Sequence, residues 1–387
     1  MPRTISRTST WAILLCALTG AAWGQAADIA PAAEAWEPEP PGQAIDVAIA
    51  LDISGSMKPL ADAARMKLWE IVQELTRTEP APALRVALLS YGRNDRHQEG
   101  WLRLETDLTT DLDLVSERLF ALESDAGGGE YVARVLQAAL EDLNWTESQD
   151  ALKLIFVVGN EPADQDPQVS LKDVSEAAWR EEIFVHAIFC GDAEHEHAES
   201  WKELAELAQG QFAAIDHRAG TVVVQSPVDA ELAELSAAIN DTFVPLGPEG
   251  AKRKESLLQQ DENAEQLSPA AAASRALVKA SPVYSADWDL IDALEGGKVD
   301  LDALADSDLP ESLREMTSTE LELYVEEVAF ERQELRRRIA ELGEQRRQYV
   351  AERMQEKGLD DSRAFDTAVR NALRERLAEK GYRVSGR

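Results

Sequence analysis

The chain has 387 residues, 72 acidic against 39 basic, and a formal net charge of −33. That balance excludes a general affinity for nucleic acid or for anionic membrane surfaces, because both require Lys and Arg to displace counterions. The length gives room for two domains, 44% hydrophobic residues exclude disorder throughout, and two cysteines are too few for a disulfide framework.

Arg3 and Arg7 precede an apolar stretch from Trp11 to Trp23, which runs into small residues around Gly24 and Ala26. This charged, apolar, small-residue order is that of a secretory signal peptide. We expect residues 1–26 to be removed on export to a periplasmic or extracellular location, leaving no membrane span. Cys16 would leave with them, and Cys190 would be the one remaining thiol. Residues 27–43, rich in Ala, Pro and Glu, read as a linker.

Nearly continuous apolar runs at Ile45–Leu51, Leu84–Leu89, Leu152–Val158 and Ile183–Phe189 have the pattern of strands buried on both faces. Helical spacing lies between and after them. Leu60, Ala64, Leu68, Ile71 and Leu75 share a face, as do Val132, Leu136, Ala139 and Leu143, and Leu232, Leu235 and Ile239. Gly210 is a stop for a helix over 201–209. The alternation predicts an α/β fold over residues 44–245, a doubly wound and mostly parallel sheet whose ligands bind beyond the carboxyl ends of the strands.

Residues 246–310 read as a polar, partly helical connector, and 311–387 as an α-helical C-terminal region. Within the latter, Leu321, Val328, Leu335, Leu342 and Tyr349 recur every seven residues, the spacing of a coiled coil. Arg332 and Arg346 interrupt the companion positions held by Val325 and Ile339. Gly358 is a stop, and a last helix is expected from Asp361 or Ser362 to Gly381. The cluster Arg332, Arg336, Arg337, Arg338, Arg346 and Arg347 reads as intrahelical pairing with Glu327, Glu331, Glu334, Glu341 and Glu344. The alternative is a docking face for the chain's own acidic domain or an acidic partner.

The stretch that carries chemistry is Asp52-Ile53-Ser54-Gly55-Ser56-Met57, directly after a buried strand and before a helix. Asp52 supplies a charge at the strand end. Ser54 and Ser56 supply hydroxyl oxygens at alternate positions of a tight loop, and Gly55 lets the loop turn. Hard cations such as Mg²⁺ take oxygen donors of this kind and keep some waters.

In this context the D-x-S-x-S run resembles the metal-ion-dependent adhesion site of the von Willebrand factor type A domain, over about residues 44–243. The resemblance implies a Rossmann-like sheet, no catalysis, and protein binding through Mg²⁺ (or Mn²⁺ or Ca²⁺), with an acidic residue of the partner completing the ion's shell. The family's Thr after a Gly pair falls here on Gly129 or Glu130, so Glu130 is the substitute ligand. The family's Asp after the fourth strand falls on Asn160, which offers a carbonyl oxygen without charge. Gly127–Glu130 through Trp145, Leu154–Pro162, Gln259–Ala264 and Trp288–Ala293 further resemble a secreted bacterial subgroup with a helical C-terminal extension. The resulting set is Asp52, Ser54, Ser56, Glu130 and Asn160.

Other chemistries compete for these residues. Ser54 or Ser56 as a mere helix cap would leave a vestigial metal loop and make the long helix the working, assembly-forming part. A metal-dependent hydrolase using Asp52 is a further alternative, but a phosphatase of the haloacid dehalogenase type wants a second carboxylate where Ser54 stands. Gly127–Gly129 lack the Lys of a phosphate loop. His195 and His197 lack a zinc-site spacing and read as a solvated acidic loop, His186 as a core residue, and Cys190 as a buried inert thiol.

Overall fold

The computed structural model describes residues 43–60, 72–124, 127–215, 224–284, 286–356 and 373–384. Six strands form the main sheet: β1 (Ala44–Asp52), β3 (Ala83–Tyr91), β4 (Leu102–Thr109), β5 (Leu152–Gly159), β6 (Ile183–Phe189) and β7 (Phe212–Ala214), in the order β4-β3-β1-β5-β6-β7. All neighbours are parallel except β3 and β4. The chain leaves β1 for β3 on one side and then returns to β5 on the other, so the order reverses between β1 and β5. A crevice opens at such a point beyond the carboxyl ends.

The four apolar runs are the four central strands, and their alternation explains the layers. Ile45, Val47, Ile49 and Leu51 of β1 join Leu152, Leu154, Phe156 and Val158 of β5 in one core. Ala48, Ala50, Ile155 and Val157 point into a second core on the opposite face. That second face is covered by α2 (Val132–Asp142), α3 (Leu171–Arg180) and α4 (Ala198–Leu207). The first carries α1 (Leu112–Ala121), α5 (Asp229–Asp241), α6 (Gly247–Leu267) and α7 (Pro269–Lys279). Two strands of this sheet are absent from the sequence expectation. β4 is antiparallel and at the edge, with only one residue, Thr106, fully buried, so it has no apolar run. β7 is three residues long. Of the expected helix through Leu60–Leu75, residues 61–71 lie outside the described residues, and 72–75 are helical.

His186 is buried in β6 and stacks on Phe156, with ring centroids 4.8 Å apart. Its Nδ1 accepts from the Gln211 N–H at 3.2 Å, and its Nε2 has no partner. Burial pushes its pKa down to about 3, so the ring is neutral. α4 ends at Leu207, short of the expected 209, and its left-handed terminating residue is Gln209 (φ 51°) rather than Gly210; Gly210 instead lies so close to the Val185 carbonyl of β6 that a Cβ there would collide with backbone.

The segment after residue 245 packs on the same core. A short helix, α8 (Leu290–Glu295), precedes α9 (Ser318–Glu356), whose 39 residues make it about 58 Å long. Ile339 and Leu342 of α9, and Leu373, Leu377 and Tyr382 beyond it, belong to the core of β1 and β5. Residues 373–379 are helical, and β8 (Arg383–Val384) pairs antiparallel with β2 (Thr78–Glu79). The expected start of this last helix lies outside the described residues. Residues Glu39–Arg387 form one compact unit.

Arginines hold α9 in place, and four of the six named above reach residues distant in sequence. Arg332 is 1% exposed; it donates to both Asp289 and Asp292 at 2.7 Å and to Thr242 Oγ1 at 3.1 Å, and lies 4.5 Å over the Phe243 ring. Arg336 reaches Asp292, Arg338 reaches Glu231, and Arg346 reaches Asp229. Arg337 and Arg347 pair within the helix, with Glu334, Glu341 and Glu344. Intrahelical pairing therefore accounts for only part of the cluster; most of it docks on the chain's own acidic residues. A second buried network joins Arg275, Asp113, Asp261, Lys279, Tyr284 and Asn240 across α1, α5, α6 and α7.

Removing one member of a buried ion pair strands the other and costs roughly 3–5 kcal/mol. Chemical denaturation should therefore show Arg332→Ala destabilised by about that much, with Arg337→Ala indistinguishable from the parent. Equal midpoints for the two variants would mean that α9 is not fastened through Arg332.

Candidate functional site

Asp52 is the last residue of β1, opposite Tyr91 of β3. It is 2% exposed. The loop that follows is tied by the Ile53 N–H to the Tyr91 carbonyl and by the Met57 N–H to the Ser54 carbonyl, both at 3.0 Å. It then enters a 3₁₀ turn at Gly55–Leu60. The buried Met57 anchors this turn in the core below.

Polar atoms converge above the loop. The Ser54 N–H donates to Asp52 Oδ1 at 2.8 Å, the Ser54 and Ser56 hydroxyls are 2.9 Å apart, and Ser56 Oγ donates to Asn160 Oδ1 at 3.1 Å. Asn160 is the first residue after β5, so the cup sits where the strand order reverses. Glu130, in the loop before α2, lies close enough that its charge adds to burial in raising the Asp52 pKa. The five residues singled out in the sequence thus lie together. Asp164 is not among the bonded groups. Asp166 is taken by Arg134, which donates to its two oxygens at 2.8 and 2.9 Å.

The electrostatics follow from this crowding. Asp52 Oδ2 is buried and has no hydrogen-bond partner. Burial, and then the nearby Glu130, push the Asp52 pKa up to about 7, against the opposing pull of the Ser54 hydrogen bonds. Burial and the charge of Glu161 likewise raise Glu130. Every inward-facing donor is oxygen: two carboxylates, two hydroxyls and one amide carbonyl. Among the described residues, no group of three or more His, Cys, Asp or Glu is placed to hold a metal. The cup's remaining oxygens are neutral ones.

Four features of the site had no recognised signal in the sequence. Gly92, with φ +74°, ends β3 beside the carboxylate, and a Cβ there would come 2.7 Å from Asp52 Oδ1. Any side chain at 92 would evict Asp52 from its position. In the Gly127–Gly129 run, Gly127 takes a φ of +104° and the other two serve packing. A Cβ on Gly128 would strike the Trp101 indole, and one on Gly129 would meet both Tyr131 and Trp101. Trp101 itself has a left-handed φ of 68°. The Gln165 side chain fixes the loop further by donating to the Glu130 carbonyl at 3.0 Å. His197 is not simply solvated: its Nδ1 lies 3.5 Å from the Asn160 carbonyl and 3.6 Å from Glu161 Oε2. Cys190 is buried, and burial raises its thiol far above the ordinary range.

A pH dependence follows. A carboxyl whose folded pKa lies above its unfolded value stabilises fully at low pH and loses that contribution as pH rises through the folded value. With Asp52 raised from 3.8 to about 7, metal-free protein should become relatively more stable between pH 8 and pH 5. His186 acts oppositely in the same window, since its folded pKa is depressed, but it is present in any Asp52 variant. The comparison is therefore Asp52→Asn against the parent, in chelator. The variant should be the more stable at pH 8 by roughly 2–4 kcal/mol, with the gap narrowing by more than half toward pH 5 and closing only below the ordinary 3.8. A gap independent of pH would mean Asp52 titrates normally.

Residues 46–220 match the family model described as the von Willebrand factor type A domain. Among solved structures the chain is similar to the conserved hypothetical protein BatB from Bacteroides thetaiotaomicron, at 16% identity over 44% of this chain and 90% of that one, TM-score 0.36. It is similar to the SpRpn10 VWA domain at 14% identity over 45% and 88%, TM-score 0.36. Proximal thread matrix protein 1 from the mussel byssus, with a zinc-occupied MIDAS motif, matches at 12% identity over 46% and 43%, TM-score 0.35. No curated protein matches the sequence.

Proposed function

We propose that this chain, whose residues 46–220 form a von Willebrand factor type A domain, binds a protein partner through a divalent cation held at the end of β1. Domains of this family commonly mediate protein–protein interaction and are typically not enzymes. The observation that carries the reading is the Asp52 carboxylate: buried, with Oδ2 unpartnered, at the centre of an oxygen-only donor set. A buried carboxylate is costly unless it is paired, protonated or bound to a metal. Asp52, Ser54 and Ser56 would hold the ion, with Glu130 and Asn160 facing it directly or through water. Hard oxygen donors favour Mg²⁺ or Mn²⁺ over softer ions. An ion seated there supplies a Lewis-acidic position, which a carboxylate of the partner suits best.

A ligand that binds only the folded state adds about 2.7 kcal/mol of stability at a hundredfold excess over its Kd. Millimolar Mg²⁺ or Mn²⁺ should therefore raise the melting temperature by a few degrees relative to chelator. Asp52→Ala should abolish the shift, Glu130→Gln should reduce it, and Asn160→Asp should enlarge it by adding a carboxylate. If the parent and Asn160→Asp melt alike with ion and with chelator, the Asp52 loop is a cap and the metal reading fails.

We also propose that the chain is exported, on the charged, apolar and small-residue order of residues 1–26. Protein recovered from its native host should begin near Gln25 or Ala27 by mass spectrometry. Soluble cytoplasmic material that retains Met1 would defeat this. No helix among the described residues is long and apolar enough to cross a membrane.

A further inference from the structure

The outer face of α9 carries two large apolar side chains that nothing among the described residues covers. Leu323 is 60% exposed and Phe330 is 67% exposed. Seven residues apart on an α-helix, they stand in line about 10 Å from each other. They lie opposite the face that buries Leu321, Val328 and Arg332.

Charge divides this helix into two unlike halves. Beyond residue 333 most exposed charges are matched within the chain: Arg337 with Glu334 and Glu341, Arg338 with Glu231, Arg347 with Glu344 and Arg353 with Glu356. Residues 315–331 hold six Glu and no Lys, Arg or His. Glu320 caps the helix start by accepting from Thr317. Glu322, Glu326, Glu327 and Glu331 have no cationic partner among the described residues. Glu322 with Glu326, and Glu327 with Glu331, are like-charge pairs at i,i+4, which destabilise a helix. Glu326 lies to one side of the Leu323–Phe330 line and Glu327 to the other.

We infer that this strip is a docking surface for a basic amphipathic helix of a partner protein, whose apolar side chains cover Leu323 and Phe330 while its Lys and Arg neutralise the flanking glutamates. An apolar line between charge rows is the surface an amphipathic helix reads, with anchors one or two turns apart. A second copy of this chain is the poorer occupant. Its net charge is −33, and the basic half of its α9 is already engaged in its own ion pairs.

The test uses the full chain and a synthetic helical peptide of about 18 residues, the length that covers the strip. It contains only Lys and Leu, with Leu at i, i+3, i+4 and i+7; the control has the same composition scrambled so that no apolar face forms. In fluorescence anisotropy at physiological salt, the amphipathic peptide should bind more tightly than the control. The double variant Leu323→Ser, Phe330→Ser leaves charge unchanged and should weaken binding by at least about tenfold, toward the control. Glu326→Gln with Glu327→Gln should weaken it and flatten its salt dependence. Trp179→Ser, at an exposed aromatic elsewhere, should change nothing. Equal binding of the two peptides, or undiminished binding by the Leu323/Phe330 variant, would overturn the inference. So would a concentration-dependent dimer in sedimentation that this variant abolishes, because the strip would then belong to a second copy.

Discussion

A parallel sheet covered on both faces leaves almost no place for polar chemistry except the ends of its strands. From Val47 to Leu51 of β1 and from Leu154 to Val158 of β5 every side chain belongs to one apolar core or the other; the polar exceptions, Asp46 paired with Arg85 and Lys153 bonded to the Glu181 carbonyl, lie near the opposite ends of the strands. Asp52 is the point where that constraint ends: the first carboxylate beyond Leu51, still 2% exposed. Its place on a rigid central strand fixes one oxygen of the cup to the sheet itself. The other donors arrive on loops, from β1, from β5 and from the head of α2. Gly92 keeps the neighbouring strand end clear, and Trp101 packs against Gly128 and Gly129 in the loop that carries Glu130.

The helical half of the chain obeys a second rule. A strongly acidic protein has few cations, and this one spends several of them inside. Arg275, Lys279 and Arg332 are each at most 1% exposed; Arg275 and Arg332 each lie between two carboxylates, and Lys279 bonds to Asp261. Buried pairs of this kind add little net stability compared with apolar packing, but they penalise any arrangement that separates them. Their effect is to define where α7 and α9 sit against α1, α5 and α8. Residues after 245 are therefore continuous with the core of the sheet rather than an appendage to it, as Ile339, Leu342, Leu373 and Leu377 show.

Much of this was readable in advance where a single physical pattern dominated. Continuous apolar runs announced four strands because burial on both faces demands them. The Asp52 loop was conspicuous because charge, hydroxyls and glycine occur together at a strand end. What escaped the sequence depended on partners far along the chain. β4 is an edge strand that needs no apolar run, and β7 is too short to have a period. Arg332 breaks a seven-residue seam and so reads as a solvent-facing residue; only Asp289 and Asp292, some forty positions away, explain why it is buried. Gly92 follows a strand as many glycines do, and nothing local reveals that a carboxylate lies against it. The heptad positions Leu321, Val328 and Leu342 are buried, and Leu335 is partly so, but they face this chain's own core rather than a second helix.

The departures in the cup offset one another. The pattern that the Asp52 run resembles has a neutral Thr on one side and an Asp on the other. Here the first position is Glu130 and the second Asn160, so the count of two carboxylates is unchanged while the charge has crossed the site. A divalent cation between Asp52 and Glu130 would be neutralised to the same degree, but from a different direction. The uncharged side, at Asn160, is also the side on which His197 lies against the Asn160 carbonyl. An incoming carboxylate would be repelled least there, although Glu161 narrows that approach by adding charge to the rim. With a cation seated as proposed, the exchange of Thr for Glu and Asp for Asn would leave its attraction intact and redirect the approach of whatever completed its shell.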